Sequence, residues 1–232
     1  MFSRSARLYD AIYASIRDYP REAAELDGLI QGRRPGARTL LDVACGTGAH
    51  LEHLAGRYEI AGLDLDPEML AVARERLPGA AFHDGDMADF DLGRRFDAVV
   101  CMFSSIGYVQ TQERLHSAVA SMGRHLEPGG ILIVEPWLTP EVWQEGHVAA
   151  VYVDEPELKI ARMNIGEHRD DLSIVDFHYL VATPDGVEHF TELHELGLFT
   201  VEQYLGAFRA AGLGVEHDPE GPMGRGLFLA LK

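Results

Sequence analysis

Basic residues are scarce in this chain. Of its 232 residues, 20 are Lys or Arg against 37 Asp or Glu, a formal charge of −17 at pH 7. A surface this negative repels phosphate backbones, which excludes broad nucleic-acid binding but leaves room for a local cluster of Arg. Cysteine is nearly absent. Cys45 and Cys101 alone make no disulfide framework. No window reaches the ~18 apolar residues of a membrane-spanning helix. The N-terminal stretch MFSRSARLYDAIY has no apolar core followed by a small-residue cleavage site. The expected compartment is the cytoplasm. Internal repeats and low-complexity segments are also missing. What is present is an ordinary globular composition, 47% hydrophobic and 25% charged, at a length that suits one domain with at most a small appendage.

The chain begins with a helical pattern. Tyr9, Ile12, Tyr13 and Ile16 recur at helix spacing, and Pro20 opens a second helical stretch with Leu26, Leu29 and Ile30 on one side. The breaker Arg33-Arg34-Pro35-Gly36 ends it. From residue 38 short apolar runs alternate with helical stretches. Runs at Thr39–Ala44, Ile60–Leu63, Ala80–His83, Phe96–Met102 and Ile131–Glu135 read as five buried strands, with helices from Ala49, from Pro67 and over 111–126. The link between the third and fourth runs shows no helix. This rhythm predicts a doubly wound α/β sheet, mostly parallel. After Glu135 it breaks. Residues 148–198 carry β-like runs, with Asp185-Gly186 as a hairpin turn, and read as an antiparallel cap rather than an independent domain. A helix over Thr200–Ala211 and a strand at Leu227–Leu231 return to the α/β pattern. The expected division is 1–136 for the N-terminal helices and core, 137–198 for the cap, and 199–232 for the return to the core sheet.

Chemistry concentrates at the carboxyl ends of the runs, where open α/β sheets bind ligands. The turn Asp42-Val43-Ala44-Cys45-Gly46-Thr47-Gly48 joins the first strand to its helix. Asp64 ends the second strand, where an acid can accept from ribose hydroxyls, and Asp86 follows the third. A dinucleotide fingerprint is excluded because Leu51 stands at the third glycine position, and a P-loop because no Gly-Lys-Ser/Thr follows.

The set Asp42–Gly48, Gly62-Leu63-Asp64-Leu65, Gly85-Asp86-Met87, Phe96-Asp97-Ala98-Val99-Val100 and Leu126-Glu127-Pro128-Gly129-Gly130 resembles the class I S-adenosylmethionine-dependent methyltransferases. Ala44 stands where many members have Gly. A closer resemblance, over nearly the whole chain, is to the N,N-dimethyltransferases of TDP-linked 3-amino-3,6-dideoxy sugars, the desosamine and mycaminose type. It rests on Tyr9-Asp10 to Tyr13, Asp18-Tyr19, Cys101-Met102-Phe103-Ser104-Ser105-Ile106-Gly107-Tyr108, Val134-Glu135-Pro136-Trp137, His189-Phe190 and Gly221–Phe228, with Met223 where serine is common.

The resemblance implies a Rossmann-like, seven-stranded sheet and S-adenosyl-L-methionine as cofactor. It assigns the turn at Ala44, Gly46 and Gly48, with Asp42 at its start, to the methionine part, Asp64 to the ribose, Asp86 and Met87 to adenine, and Met102 to the sulfonium region. Tyr108 would position the acceptor amine, Tyr13 would close the N-terminal side, and Tyr19 would cover the methionine end. Plainer readings stand beside these: core filling for the two methionines, helix capping for Asp64 and Asp86, packing for the tyrosines. Because the methyl is already activated, alignment of a neutral amine is the main requirement. His178, sharing a strand face with Asp176, is the candidate base, or else a structural histidine. His189 and His194 fall on opposite faces of one strand, so no metal site is expected. A nucleotide-sugar diphosphate needs local positive charge. Arg225, between Gly224 and Gly226, is the first candidate, with Arg162 and Arg169 next, surface positions being the alternative. Residues 151–232 hold 6 basic and 15 acidic residues, so these few arginines carry the whole requirement. The expected partners are a small nucleotide-sugar substrate and, by resemblance, a second copy of the chain. Competing readings are a methyltransferase for another small metabolite, and a non-catalytic protein that keeps the cofactor pocket.

Overall fold

A computed structural model describes residues 5–221 and 224–232. Met223 lies outside the described residues. The elements run α1 (Ala6–Ala14), α2 (Tyr19–Arg33), β1 (Thr39–Val43), α3 (Ala49–Leu54), β2 (Glu59–Asp64), α4 (Pro67–Arg76), β3 (Ala81–Asp84) and β4 (Phe96–Cys101). A 3-10 turn (Ser105–Val109), α5 (Gln112–Arg124) and β5 (Leu126–Val134) follow. Then come β6 (Val148–Asp154), β7 (Lys159–Arg169), β8 (Leu172–Thr183), β9 (Gly186–Gly197), α6 (Val201–Ala210), β10 (Gly214–Asp218) and β11 (Leu227–Leu231). Local chemistry sets the helix starts. Asp18 accepts the Arg21 N–H at 3.1 Å with a proline in the first turn of α2, Asp66 caps α4 ahead of Pro67, and Thr200 and Gln203 form a capping box on α6.

The main sheet has the order β10-β11-β5-β4-β1-β2-β3, with β1 to β5 parallel and β11 antiparallel to both neighbours. Strand order reverses at β1, which lies between β2 and β4. β1, β4 and β5 are buried on both faces. Leu41, Val99, Cys101 and Leu132 pack with Leu115, Val119 and Phe208 on one side, while Leu40, Val100 and Ile133 pack with Leu26, Ile30 and Leu51 on the other. β10 has no counterpart in the sequence reading, because Gly214–Asp218 alternates half-exposed and exposed residues and forms a sheet edge. The fifth strand starts earlier than expected, at Leu126.

Between β5 and α6 the chain forms a separate four-stranded antiparallel sheet, β6-β7-β8-β9. The β8–β9 hairpin turns on Pro184 and Asp185, since Thr183 already pairs with Gly186. Ile160, Tyr179, Val181 and Phe190 on its inner face pack on Ile12 and Tyr13 of α1. The first helix therefore joins the apolar cluster of the cap, while Asp10 on the same helix accepts from Thr47 Oγ1 at 2.7 Å and pairs with Arg76 of α4. Ile16, read with the helical stripe, lies beyond the end of α1 and is exposed. No helix among the described residues is long and apolar enough to cross a membrane.

Candidate active site

Three cavities meet above the carboxyl ends of β1, β2 and β4. The first, of about 740 Å³, is lined by Ala44, Gly46, Asp64, Asp86, Met87 and Arg114 among others. A smaller one beside it, of about 350 Å³, is lined by Tyr19, Asp42, Ala44, Gly46, His50 and Met102. The third, of about 1400 Å³, lies under the cap and is lined by Tyr13, Arg17, Trp137, Arg162, His194 and Arg225 among others. Tyr9 and Ser105 line all three, Tyr108 the first and third, and Phe103 the second and third. These four residues mark the junction.

The β1 turn takes its shape from left-handed backbone. Ala44, Gly46 and Gly48 have φ of +61°, +55° and +74°. Gly48 is the N-cap of α3 and lines neither of the first two cavities. Only glycine reaches this region without strain, so the side-chain-bearing Ala44 sits under tension there. Asp64 pins the turn: its Oδ2 accepts the Gly46 N–H at 2.7 Å and its Oδ1 the Asp66 N–H at 2.9 Å. Burial raises its pKa against those two hydrogen bonds. Asp42 is buried, and its Oδ1 has no hydrogen-bond partner among the described residues. Burial, then the neighbouring charge of Asp64, pushes its pKa up to about 8. The Tyr19 hydroxyl, on the same small cavity, also has no hydrogen-bond partner among the described residues. An unpaired buried acceptor beside a second carboxylate fits a ligand that brings a cationic donor group.

Asp86 accepts the Ala88 N–H at 2.8 Å and an ion pair from Arg114 at 2.7 Å. Burial alone would raise its pKa, but the Arg114 and Ala88 bonds hold it below the ordinary carboxylate value. Any adenine contact at Asp86 is therefore shared with Arg114, which nothing in the sequence reading singled out.

The cap cavity gathers positive charge. Arg162 and Tyr13 are buried, with Arg162 donating to the Tyr13 hydroxyl at 3.0 Å. Arg225 donates to Ser104 Oγ at 3.0 Å and lies 5.3 Å over the Trp137 ring. Arg17, unforeseen, is buried and held by Glu22 Oε2 at 2.5 Å, which His50 Nε2 also contacts at 3.0 Å. Its guanidinium stacks 4.1 Å over Phe103, and its Nη1 has no hydrogen-bond partner among the described residues.

Two expected residues are not in the site. His178 stands on the outer face of the cap sheet, its side chain 52% exposed and 3.2 Å from Asp176. Strand alternation explains this: Val175, Tyr179 and Val181 turn inward, so Asp176 and His178 turn out together. Arg169 is also outside the cavity, 61% exposed and 3.6 Å from Glu195. Seven residues separate it from inward-facing Arg162 on the same strand, and an odd separation reverses the face. His189 and His194 do lie on opposite faces. His189 packs near His178 with ring centroids 5.7 Å apart, while His194 is buried inside and bonds Tyr108. Its sign in the sequence was the same alternation read with the opposite phase. No group of metal-ligating side chains occurs among the described residues.

A methyltransferase-domain family model matches residues 40–130. The chain is 48% identical to the dTDP-3-amino-3,6-dideoxy-alpha-D-glucopyranose N,N-dimethyltransferase of Streptomyces fradiae, over 97% of this chain and 90% of that protein. It belongs to that family of N,N-dimethyltransferases. The methyltransferase superposes on the crystal structure of Streptomyces venezuelae DesVI with a TM-score of 0.93 at 47% identity, covering 97% of each chain. It also matches SAM-bound CalS10, an amino pentose methyltransferase from Micromonospora echinaspora, at TM-score 0.89 and 41% identity, over 97% of this chain and 96% of that one. This chain is thus a class I, S-adenosylmethionine-dependent methyltransferase, and the unpaired Asp42 acceptor suits the cationic end of that cofactor.

Proposed function

We propose that this enzyme methylates the amino group of a dTDP-linked deoxyamino sugar, twice in succession. The observation that carries this reading is the cap cavity. In a chain of charge −17, Arg17, Arg162 and Arg225 converge on one space that opens onto the cofactor junction at Tyr9, Ser105 and Tyr108. A guanidinium fork suits phosphate oxygens, and a buried cation needs an anionic partner; Arg17 has one in Glu22, whereas Arg162 and Arg225 have no carboxylate in ion-pair range among the described residues.

Bound S-adenosylmethionine supplies a methyl group already activated on a sulfonium sulfur. The residues of the chain then have two tasks. Asp42 and Tyr19 hold the methionine end, and Asp64, Asp86 and Met87 the adenosine, with Met102 beneath the junction. The arginines take the diphosphate, while Tyr13 and Tyr108 orient the amine. Alignment of this kind contributes roughly 7–11 kcal/mol of barrier lowering. With His178 outside the cavity, alignment is not supplemented by that residue.

The pairing of two chains belongs to the same proposal. Val148, Tyr152, Met163, Ile165, Leu180 and Leu193 form an exposed apolar set on the outer face of the cap sheet, and a two-fold pairing of this face with itself would cover it.

The deciding experiment incubates the purified chain with labelled S-adenosylmethionine and a dTDP-linked 3-amino-3,6-dideoxyhexose. Mono- then dimethylated sugar is expected by mass spectrometry. Transfer to the free sugar as fast as to the nucleotide sugar would overturn the diphosphate reading.

A further inference from the structure

We propose that His194 is a positioning residue that takes the proton of the acceptor amine through the hydroxyl of Tyr108. This rests on the amine-acceptor reading above. At neutral pH a sugar amine arrives largely as ammonium, with no free lone pair. It must lose a proton before the first transfer, and the monomethyl ammonium must lose another before the second. The three arginines of the cap cavity cannot accept a proton. Asp42 and Asp64 belong to the cofactor side, and of the two histidines lining the cap cavity His147 is exposed while His194 is buried and bonded to Tyr108.

At the junction, Tyr108 Oη lies 2.6 Å from His194 Nδ1. The Tyr108 side chain lines both the cofactor cavity and the cap cavity. With Nδ1 unprotonated, the phenol donates to it and turns an oxygen lone pair toward the cavity, where an amine N–H finds an acceptor. The other ring nitrogen, Nε2, is 3.9 Å from Glu192 Oε2. Glu192 is fixed in turn by the Ser5 N–H at 3.2 Å and the Ser5 hydroxyl at 2.6 Å. Phe177 meets the His194 ring edge-on at 5.0 Å and fixes its plane.

Among the described residues, the titratable and charged groups facing His194 are Tyr108 from the 3-10 turn, Glu192 from its own strand and Arg162 from β7. Burial lowers the His194 pKa and raises that of Tyr108. The pair therefore stands as neutral imidazole and neutral phenol at pH 7, the state a proton relay needs at its start.

The amine proton moves to Tyr108 Oη as the Tyr108 proton moves to His194 Nδ1. The former N–H electron pair becomes the lone pair that bonds the methyl carbon, and the electrons of the broken C–S bond stay on sulfur. The resulting imidazolium faces the Glu192 carboxylate. His194 returns its proton to water when products exchange, which resets the site for the second methyl.

The test uses the full chain with the same nucleotide sugar, comparing wild type, Tyr108→Phe, His194→Gln and the double variant. Each single change is expected to lower kcat about 100-fold at pH 6.5 with KM little altered. The loss should shrink steadily toward pH 9.5, where the amine is neutral unaided. The double variant should be no slower than the slower single one. A loss that stays constant across pH, or single effects that multiply, overturns the relay. Tyr108→Phe keeps the ring and removes one oxygen, so it decides the matter even where His194→Gln folds poorly. A wild-type chain that leaves the sugar amine unmethylated overturns the acceptor reading and the relay with it. An active wild type with unaffected variants overturns the relay alone.

Discussion

Glu135 accepts the backbone N–H of Phe103 at 2.7 Å across two adjacent strand ends. Glu135 is fully buried just after β5, and Phe103 follows β4 with φ of +55°. Ser104 next to it has φ of +60°. Two successive side-chain-bearing residues in the left-handed region cost about 1–3 kcal/mol each. They persist because three bonds hold them: the Glu135 carboxylate, the Ser104 hydroxyl donating to the Pro136 carbonyl at 2.7 Å, and Arg225 donating to Ser104. The strained corner delivers Phe103, Ser105 and Tyr108 to the cavity junction.

Removing that carboxylate charge should release the corner. Glu135→Gln is expected to cost about 1–3 kcal/mol, a fall of roughly 2–10 °C in Tm, read by scanning calorimetry. Turnover should drop about tenfold, equivalent to roughly 1.4 kcal/mol of alignment, while cofactor affinity changes little. An unchanged kcat would separate the strain from the chemistry.

Asp42 carries a proton-linkage signature. Its pKa of about 8 leaves it mostly protonated at pH 7 in the ligand-free protein. In the unfolded chain it would ionise near pH 4. Its raised value therefore favours the fold fully below about pH 4, and that contribution is lost as pH rises toward 8. A cationic group placed against the carboxylate reverses the preference and expels the proton. Binding of S-adenosylhomocysteine at pH 7 should release nearly one proton, measured by calorimetry in buffers of different ionisation enthalpy. Asp42→Asn should abolish the release.

The α/β core was legible because its signals are local. Buried parallel strands are continuous apolar runs, and the glycine turn and strand-end acids lie within short stretches of sequence. The cap was legible as strands but not in phase. Val175 to Val181 alternates without saying which face meets the cavity, and the choice is made by α1, 160 residues earlier, whose Ile12 and Tyr13 cover one side. Alternation alone therefore offers His178 as the base and puts His194 only on the face opposite His189. Arg17 was invisible for a related reason. It sits just past the end of α1, and only the fold brings it beneath Phe103 with Glu22 behind it.

The arginines should differ in what they do. Arg17 is paired with Glu22 and keeps only Nη1 without a partner among the described residues, while Arg225 is braced by the uncharged Ser104 hydroxyl. Arg225→Ala and Arg17→Ala should each raise KM for the nucleotide sugar about 10–100-fold, the range of a charge-assisted hydrogen bond of about 1.5–3 kcal/mol. KM for S-adenosylmethionine should stay near wild type. Arg169→Ala, outside the cavity, should leave both constants within about twofold, since an exposed ion pair contributes about 1 kcal/mol or less. Steady-state kinetics with each substrate varied in turn makes the comparison.

The outer face of the cap offers the last test. Leu180 and Val148 are 51% and 70% exposed there, on the side of the sheet away from Arg162. In a two-fold pair this face meets its own copy, so a charge placed on one chain meets the same charge on the other. Leu180→Glu should therefore shift sedimentation from dimer to monomer. Burying a carboxylate against an apolar partner is prohibitive, while exposing it in the monomer is not. The monomeric variant should retain methyl transfer, since Leu180 points away from the cavity that Phe177 and Arg162 line. His178→Asn on the same face should keep kcat within about twofold, since its side chain points away from the cavity. Wild type that sediments as a monomer at micromolar concentration would leave this apolar face uncovered and overturn the pairing.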